Sequence, residues 1–289
     1  MFAAQVHAQT LTFRQVLDRP GAKPALKIAY GKDPLQFGEL WLPKGVEAGP
    51  YPVVLLIHGG CWQASLPGTE LMWHMADDFA RNGFAIWNIE YRRIGHAGGG
   101  YPGTFLDVAQ ASDHLRELAP KYNLDLKRVV AVGHSAGGHL AFWTAGRPNL
   151  AKGSPLHTAD PLPVRGVVGL APIADLQGFS RYGVACGAEE TVDALIDAGR
   201  RGKPAAYADT SIVELLPLGR AAPLRQIVIH GAFDSIVPPF AGMQYRERAK
   251  AKGEAVEVKV ISEAGHFEVI APWTDAWRDV RTSIDAVLK

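Results

Sequence analysis

At 289 residues, 47% hydrophobic and 20% charged, the chain has ordinary globular proportions and enough length to bury about three quarters of its unfolded surface in one domain. These values exclude disorder, collagen-like repeats and coiled coil. Thirty Lys and Arg against 29 Asp and Glu leave a formal net charge of +1, so no basic stripe awaits a phosphate backbone and nucleic acid is not an expected partner. The longest apolar runs, such as 53–57, fall far short of the ~20 residues of a membrane span, and no membrane partner is expected.

Residues 1–24 read as an N-terminal arm or signal remnant. Val6-His7-Ala8 before Gln9 matches the small-residue end of a secretory signal, yet neither a basic start nor an apolar stretch precedes it. The compartment therefore stays open between cytoplasmic and periplasmic or secreted. Next, 26–30 and 37–42 read as strands of an antiparallel edge hairpin, separated by the turn-rich Gly31-Lys32-Asp33-Pro34. Six nearly continuous apolar or β-branched runs follow, at 53–57, 84–90, 129–132, 167–170, 226–229 and 256–261, as expected of parallel strands buried on both faces. Helix candidates at 69–81, 104–118, 136–145, 239–252 and 273–288 are long enough to cross over the sheet. Segment 175–223 is too long for a simple crossover, and a helix is predicted within it at 189–198. It is either a lid-like insertion or a packing insertion. The alternation predicts one α/β domain over 1–289, with a mostly parallel twisted sheet and helices on both faces. Cys61 and Cys186 lack the close spacing of metal or redox pairs; two free thiols is the favoured reading, and one disulfide the alternative.

The chemistry is concentrated in Gly133-His134-Ser135-Ala136-Gly137, which directly follows one predicted strand and opens the next helix. That is G-x-S-x-G in its required context: a serine on a sharp strand-to-helix turn, with glycines where the neighbouring chain passes close. The helix N-terminus behind it suits an oxyanion. Catalytic groups of open α/β sheets gather beyond the carboxyl ends of strands, and two residues meet that condition. His266 lies in Gly265-His266-Phe267 after the last strand and Asp234 lies in Gly231-Ala232-Phe233-Asp234 after the preceding one. The chain order Ser135, Asp234, His266 is that of α/β-hydrolase triads. Asp175 and Glu268 are the rival acids. The strand at 53–57 runs into His58-Gly59-Gly60-Cys61-Trp62, where backbone N–H groups of Gly60 or Cys61 would join that of Ala136 as oxyanion donors. His58, His134 and His139 read mainly as bracing imidazoles.

Those motifs, with Glu90-Tyr91-Arg92-Arg93, Gly98-Gly99-Gly100-Tyr101-Pro102-Gly103-Thr104 and Gly265-His266-Phe267-Glu268, resemble the α/β-hydrolase superfamily. Within it, the chain is similar to the branch of bifunctional feruloyl/acetylxylan esterases and arylformamidases. The resemblance implies Ser135 as nucleophile, His266 as base then acid, Asp234 as its orienting carboxylate, and Gly60, Cys61 and Ala136 as oxyanion donors. Trp62, Tyr101 and His134 are candidate substrate-binding residues, each with packing as the alternative, and Tyr182 and Tyr207 are further candidates for walling the alcohol side. The implied activity is a serine carboxylesterase acting on small or aromatic esters, needing no metal or other cofactor, as monomer or homodimer. Arylformamidase is the alternative, disfavoured by Cys61 where that pattern often carries an aromatic residue. A non-catalytic binding protein is the remaining reading.

Overall fold

The structure, a computed structural model, describes residues 10–44, 49–219 and 224–288. The signal-like residues 6–9 lie outside the described residues.

Eight strands form one sheet in the order β1-β2-β4-β3-β5-β6-β7-β8. β1 (Leu26–Ala29) and β2 (Phe37–Trp41) are the expected antiparallel hairpin, and β2 runs antiparallel to β4 (Ala85–Ile89). From β4 onward, through β3 (Tyr51–Ile57), β5 (Leu124–His134), β6 (Gly166–Leu170), β7 (Arg225–Gly231) and β8 (Val256–Ile261), every pairing is parallel. This is the α/β architecture of the α/β-hydrolases.

The β-branched runs are explained by burial on two sides. Along β3, Val53, Leu55 and Ile57 enter one core while Val54 and Leu56 enter the other, because successive side chains alternate across the sheet. The first core receives α3 (Gly103–Asp113), α4 (Leu115–Tyr122), α5 (Ala136–Gly146) and α10 (Pro239–Lys250) through Phe105, Leu115, Trp143 and Tyr245. The second receives α2 (Trp73–Arg81) and α11 (Ala276–Leu288) through Met75, Phe79, Val280 and Ile284.

Two expected helices differ in detail. The segment 69–81 begins as a 3₁₀ turn, Thr69–Met72, before α2. The segment 104–118 is two helices meeting at His114, whose carbonyl takes an i+3 bond from Glu117 N at 2.9 Å; Pro120, without an N–H, falls within the second. An α1 helix, Phe13–Leu17, was not anticipated; its Thr12–Gln15 capping box is intact.

The insertion holds α6 (Leu176–Tyr182), α7 (Ala188–Ile196), α8 (Ala198–Arg201) and α9 (Lys203–Ala208). The favoured reading of two free thiols is corrected: Cys61 and Cys186 form a disulfide, with Cα atoms 5.4 Å apart across 125 residues of sequence. Spacing along the chain carried no signal of this pairing, because the insertion folds back over the β3 loop. Gln63 reinforces the link, donating to the Cys186 carbonyl (3.1 Å) and to Thr191 Oγ1 (3.0 Å).

Candidate active site

The chain leaves β3 toward β4 on one side and β5 toward β6 on the other, so the loops after β3 and β5 diverge at the carboxyl end of the sheet, where a crevice opens. Both loops carry candidate residues. Ser135, between β5 and α5, has φ 55° and ψ −118°, a sparsely populated positive-φ conformation that costs about 1–3 kcal/mol and persists only when surroundings enforce it. The enforcement is visible: a Cβ on Gly137 would lie 2.2 Å from the Ile57 carbonyl oxygen, and one on Gly133 would lie 2.1 Å from that of Gly137. Only glycines allow α5 to start this close to β3.

His266 and Asp234 come from the loops after β8 and β7. His266 Nδ1 bonds Asp234 Oδ2 at 2.7 Å, and both residues are nearly buried. With Nδ1–H donating to the carboxylate, Nε2 is left as the acceptor nitrogen of the ring. Asp234 is itself held by the N–H groups of Ile236 (2.9 Å) and Val237 (2.8 Å) on its other oxygen. Burial pushes this carboxyl up, but the His266 hydrogen bond and charge, with those two N–H groups, outweigh it and leave it below the usual Asp value.

Ser135, His266, Gly60 and Cys61 line one cavity of about 160 Å³, whose remaining wall is mainly apolar, including Leu66, Leu71, Ile236 and Phe267. Gly60, Cys61 and Trp62 all have positive φ (104°, 49° and 56°). Among the described residues, the N–H groups of Gly60, Cys61 and Ala136 have no intramolecular acceptor, as befits donors reserved for a ligand oxygen.

The β3 loop is braced from below. His58 Nε2 bonds Glu90 Oε1 at 2.9 Å, and Arg93 spans Glu90 Oε2 (3.3 Å) and the carbonyls of Leu66 (2.7 Å) and Pro67 (3.1 Å). Burial raises the Glu90 carboxyl, but His58 and Arg93 more than offset this and hold it low. The Glu-Tyr-Arg-Arg motif is therefore the scaffold of this loop. In the same way Arg92 grips Asp107 with two nitrogens, at 2.8 and 2.7 Å.

The structure separates the remaining candidates. His134 lines the cavity, but its Nε2 is engaged by the His266 carbonyl at 2.9 Å, and burial, aided by nearby His266, drops its pKa to about 3, so it is a neutral brace. Trp62 and Tyr101 do not reach the cavity. The positive-φ turn sends the Trp62 indole into the core against His139 (5.4 Å) and Phe179 (6.2 Å). Tyr101 donates to Asp209 at 3.2 Å under the Arg201 guanidinium. Tyr182 packs on Phe240, and Tyr207 lines a separate groove of about 790 Å³ beside Lys203. The rival acids are engaged elsewhere: Asp175 caps α6 at Gly178 (3.1 Å), and Glu268 accepts from Gly265 (2.8 Å). His139 bonds the Thr210 carbonyl at 2.8 Å and His230 that of Val237 at 3.0 Å. Pattern reading missed the apolar wall: Leu66, Leu71 and Ile236 belong to no motif, and Phe267 entered only as the neighbour of His266.

The family model described as BD-FAE matches residues 39–248. Esterase LipC of Mycobacterium tuberculosis is 27% identical over 231 residues, 78% of this chain and 55% of that protein, so the chain spans about half the length of this curated relative. In overall shape the chain is similar to esterase B from Lactobacillus rhamnosis, solved with a phosphonate inhibitor, with a TM-score of 0.78 at 20% identity over 95% of this chain and 90% of that one. A bifunctional GH43-CE protein from Bacteroides eggerthii superposes with a TM-score of 0.71 at 25% identity, covering 90% of this chain and 37% of its own.

Proposed function

Since the chain belongs to the BD-FAE family, we propose that it is a serine carboxylesterase cleaving small or aromatic carboxylic esters through an acyl-enzyme on Ser135. The observation that carries this reading is the convergence on one cavity of a strained serine, a histidine bonded to a buried aspartate, and free backbone donors. The esterase names of LipC and esterase B support the same activity.

In this reaction Ser135 Oγ attacks the ester carbonyl while His266 Nε2 takes its proton. The carbonyl oxygen, now negative, is held by the N–H groups of Gly60, Cys61 and Ala136; losing one such donor typically costs about 3–4 kcal/mol of transition-state stabilisation. His266 returns the proton to the departing alcohol oxygen, and the carbonyl re-forms as the acyl-enzyme. Water then attacks the acyl carbonyl, losing its proton to His266, which passes it to the departing Ser135 Oγ as the carboxylic acid is released. Asp234 keeps the imidazole in the tautomer this requires and stabilises it when doubly protonated.

The small apolar cavity favours compact uncharged substrates, and long-chain fats are disfavoured. Initial rates on p-nitrophenyl acetate, butyrate and octanoate, beside N-formylkynurenine, with wild type and Ser135→Ala, test the reading. Short-chain hydrolysis lost in the variant supports the esterase. A far larger kcat/KM for N-formylkynurenine would transfer the assignment to arylformamidase, and equal rates in both proteins would remove the triad altogether.

A further inference from the structure

The N-terminal arm, outside every motif, touches the site. Phe13, on α1, lines the same cavity as Ser135 and His266, its ring centroid 6.3 Å from that of Phe267, which stands edge-on to His266 at 5.0 Å. The arm is tied to the histidine loop by Glu268, one of whose oxygens accepts from the Leu11 N–H while the other accepts from Gly265 at 2.8 Å. Thr10 packs so tightly on Gly265 that a Cβ there would come within 2.8 Å of it. Val16, buried, anchors the same helix in the second core. The arm is thus fastened on both sides of Phe13.

The tetrahedral centre on Ser135 has one constrained direction. Its leaving oxygen must come within hydrogen-bond reach of His266 Nε2 to be protonated, so the alcohol portion of the substrate departs past the histidine. The acyl portion points away from it. Phe267, adjacent to His266, and Phe13, packed on Phe267, therefore bound the alcohol side.

We propose that Phe13 is a specificity-determining residue that limits the bulk of the leaving alcohol, the N-terminal arm serving as a wall of the active site; this rests on the esterase reading above. Phe13 is only half-buried; its ring also packs on the second core, but the capping box, buried Val16 and the Leu11–Glu268 bond are further anchors of the arm that its truncation does not remove.

The test measures kcat/KM on ethyl, phenyl and 2-naphthyl acetates, which share one acyl-enzyme, and on p-nitrophenyl acetate, butyrate and hexanoate, which share one alcohol. Wild type, Phe13→Ala, Phe13→Trp and Ser135→Ala are compared. The expected result is that Phe13→Ala raises the naphthyl-to-ethyl ratio by about tenfold, the scale on which pocket volume discriminates, and Phe13→Trp lowers it, while the ratios across the acyl series stay unchanged. A shift in the acyl series instead, no shift in either, or an equal loss on all six esters would overturn the inference. If wild type cleaves none of them, or Ser135→Ala cleaves all, the esterase reading itself fails and this assignment with it.

Discussion

In the proposed mechanism the aspartate is the residue whose replacement is most informative. Asp234 gives one oxygen to His266 Nδ1 and the other to two backbone N–H groups, so replacing it with Asn leaves the packing but presents an amide N–H where an acceptor is needed. Asp234→Asn should lower kcat by about 10³–10⁴ with a melting temperature close to wild type, readable from steady-state rates and a thermal scan. Arg93 acts at one remove. Its guanidinium holds the carbonyls of Leu66 and Pro67, which follow the Gly60–Cys61 donors, and Arg93→Met should lower kcat more than it raises KM. A parallel loss of stability with kcat intact would mean that the brace serves folding alone. At this scale the serine, histidine and aspartate positions were legible because each sits just past a recognisable strand end. For Trp62 and Tyr101 the packing alternative is the one the fold has, and the sequence left this open because a motif tells which residue is present and not which way its side chain faces. The turn at Gly60 to Trp62 decides that.

Among the elements, the β3 loop and the insertion behave as one unit. The Cys61–Cys186 disulfide closes a loop of 125 residues, and its removal should cost ~3–5 kcal/mol of stability in the chain-entropy account. Cys61 is also a proposed oxyanion donor, so Cys186→Ser, or reduction of the wild type, should lower the melting temperature and reduce kcat together. Retention of full activity after reduction, checked by thiol titration, would show that the Gln63 and Arg93 contacts hold the loop without the disulfide. The turn between β5 and α5 is less forgiving still. Gly137→Ala sets a methyl against the Ile57 carbonyl oxygen, and the expected outcome is a protein that fails to reach the soluble fraction or melts at least ~5 °C lower, following the ~2–4 °C per kcal/mol of larger domains. The strands and the crossover helices were legible from runs and lengths alone. The break at His114 and the short α1 were not, since each depends on local hydrogen bonds in a stretch too short for periodicity to register.

For the whole molecule, burial of neutral imidazoles governs the response to acid. Burial drops the pKa of His134 to about 3 and those of His139 and His230 to about 4. Below the ordinary histidine value near 6.5 the unfolded chain takes up protons that the folded chain refuses, so stability is complete above that pH and declines as pH falls toward 4. Each histidine contributes up to about 1.4 kcal/mol per pH unit in that window. Asp234 and Glu90, both held low, extend the decline into the carboxylate range. Denaturant melts at pH 7.5, 6 and 5 should therefore show falling midpoints, with a shallower slope in His139→Gln. A midpoint flat from pH 7.5 to 5 would contradict the burial of these rings.

The order of runs and punctuation along this chain was sufficient to determine an α/β sheet with an edge hairpin, a strained serine turn, and a histidine and an aspartate past the last two strands. These are local properties: continuous apolar runs demand burial on two faces, and Gly-x-Ser-x-Gly demands a close approach of backbones. What closes the site is non-local. The arm that brings Phe13 to the cavity, the Glu268 carboxylate that ties it there, and the cysteine bridge from the insertion join residues from 125 to 257 positions apart. No spacing rule reaches that far; only the folded sheet, which gathers its loops at one end, sets those side chains within contact of one another.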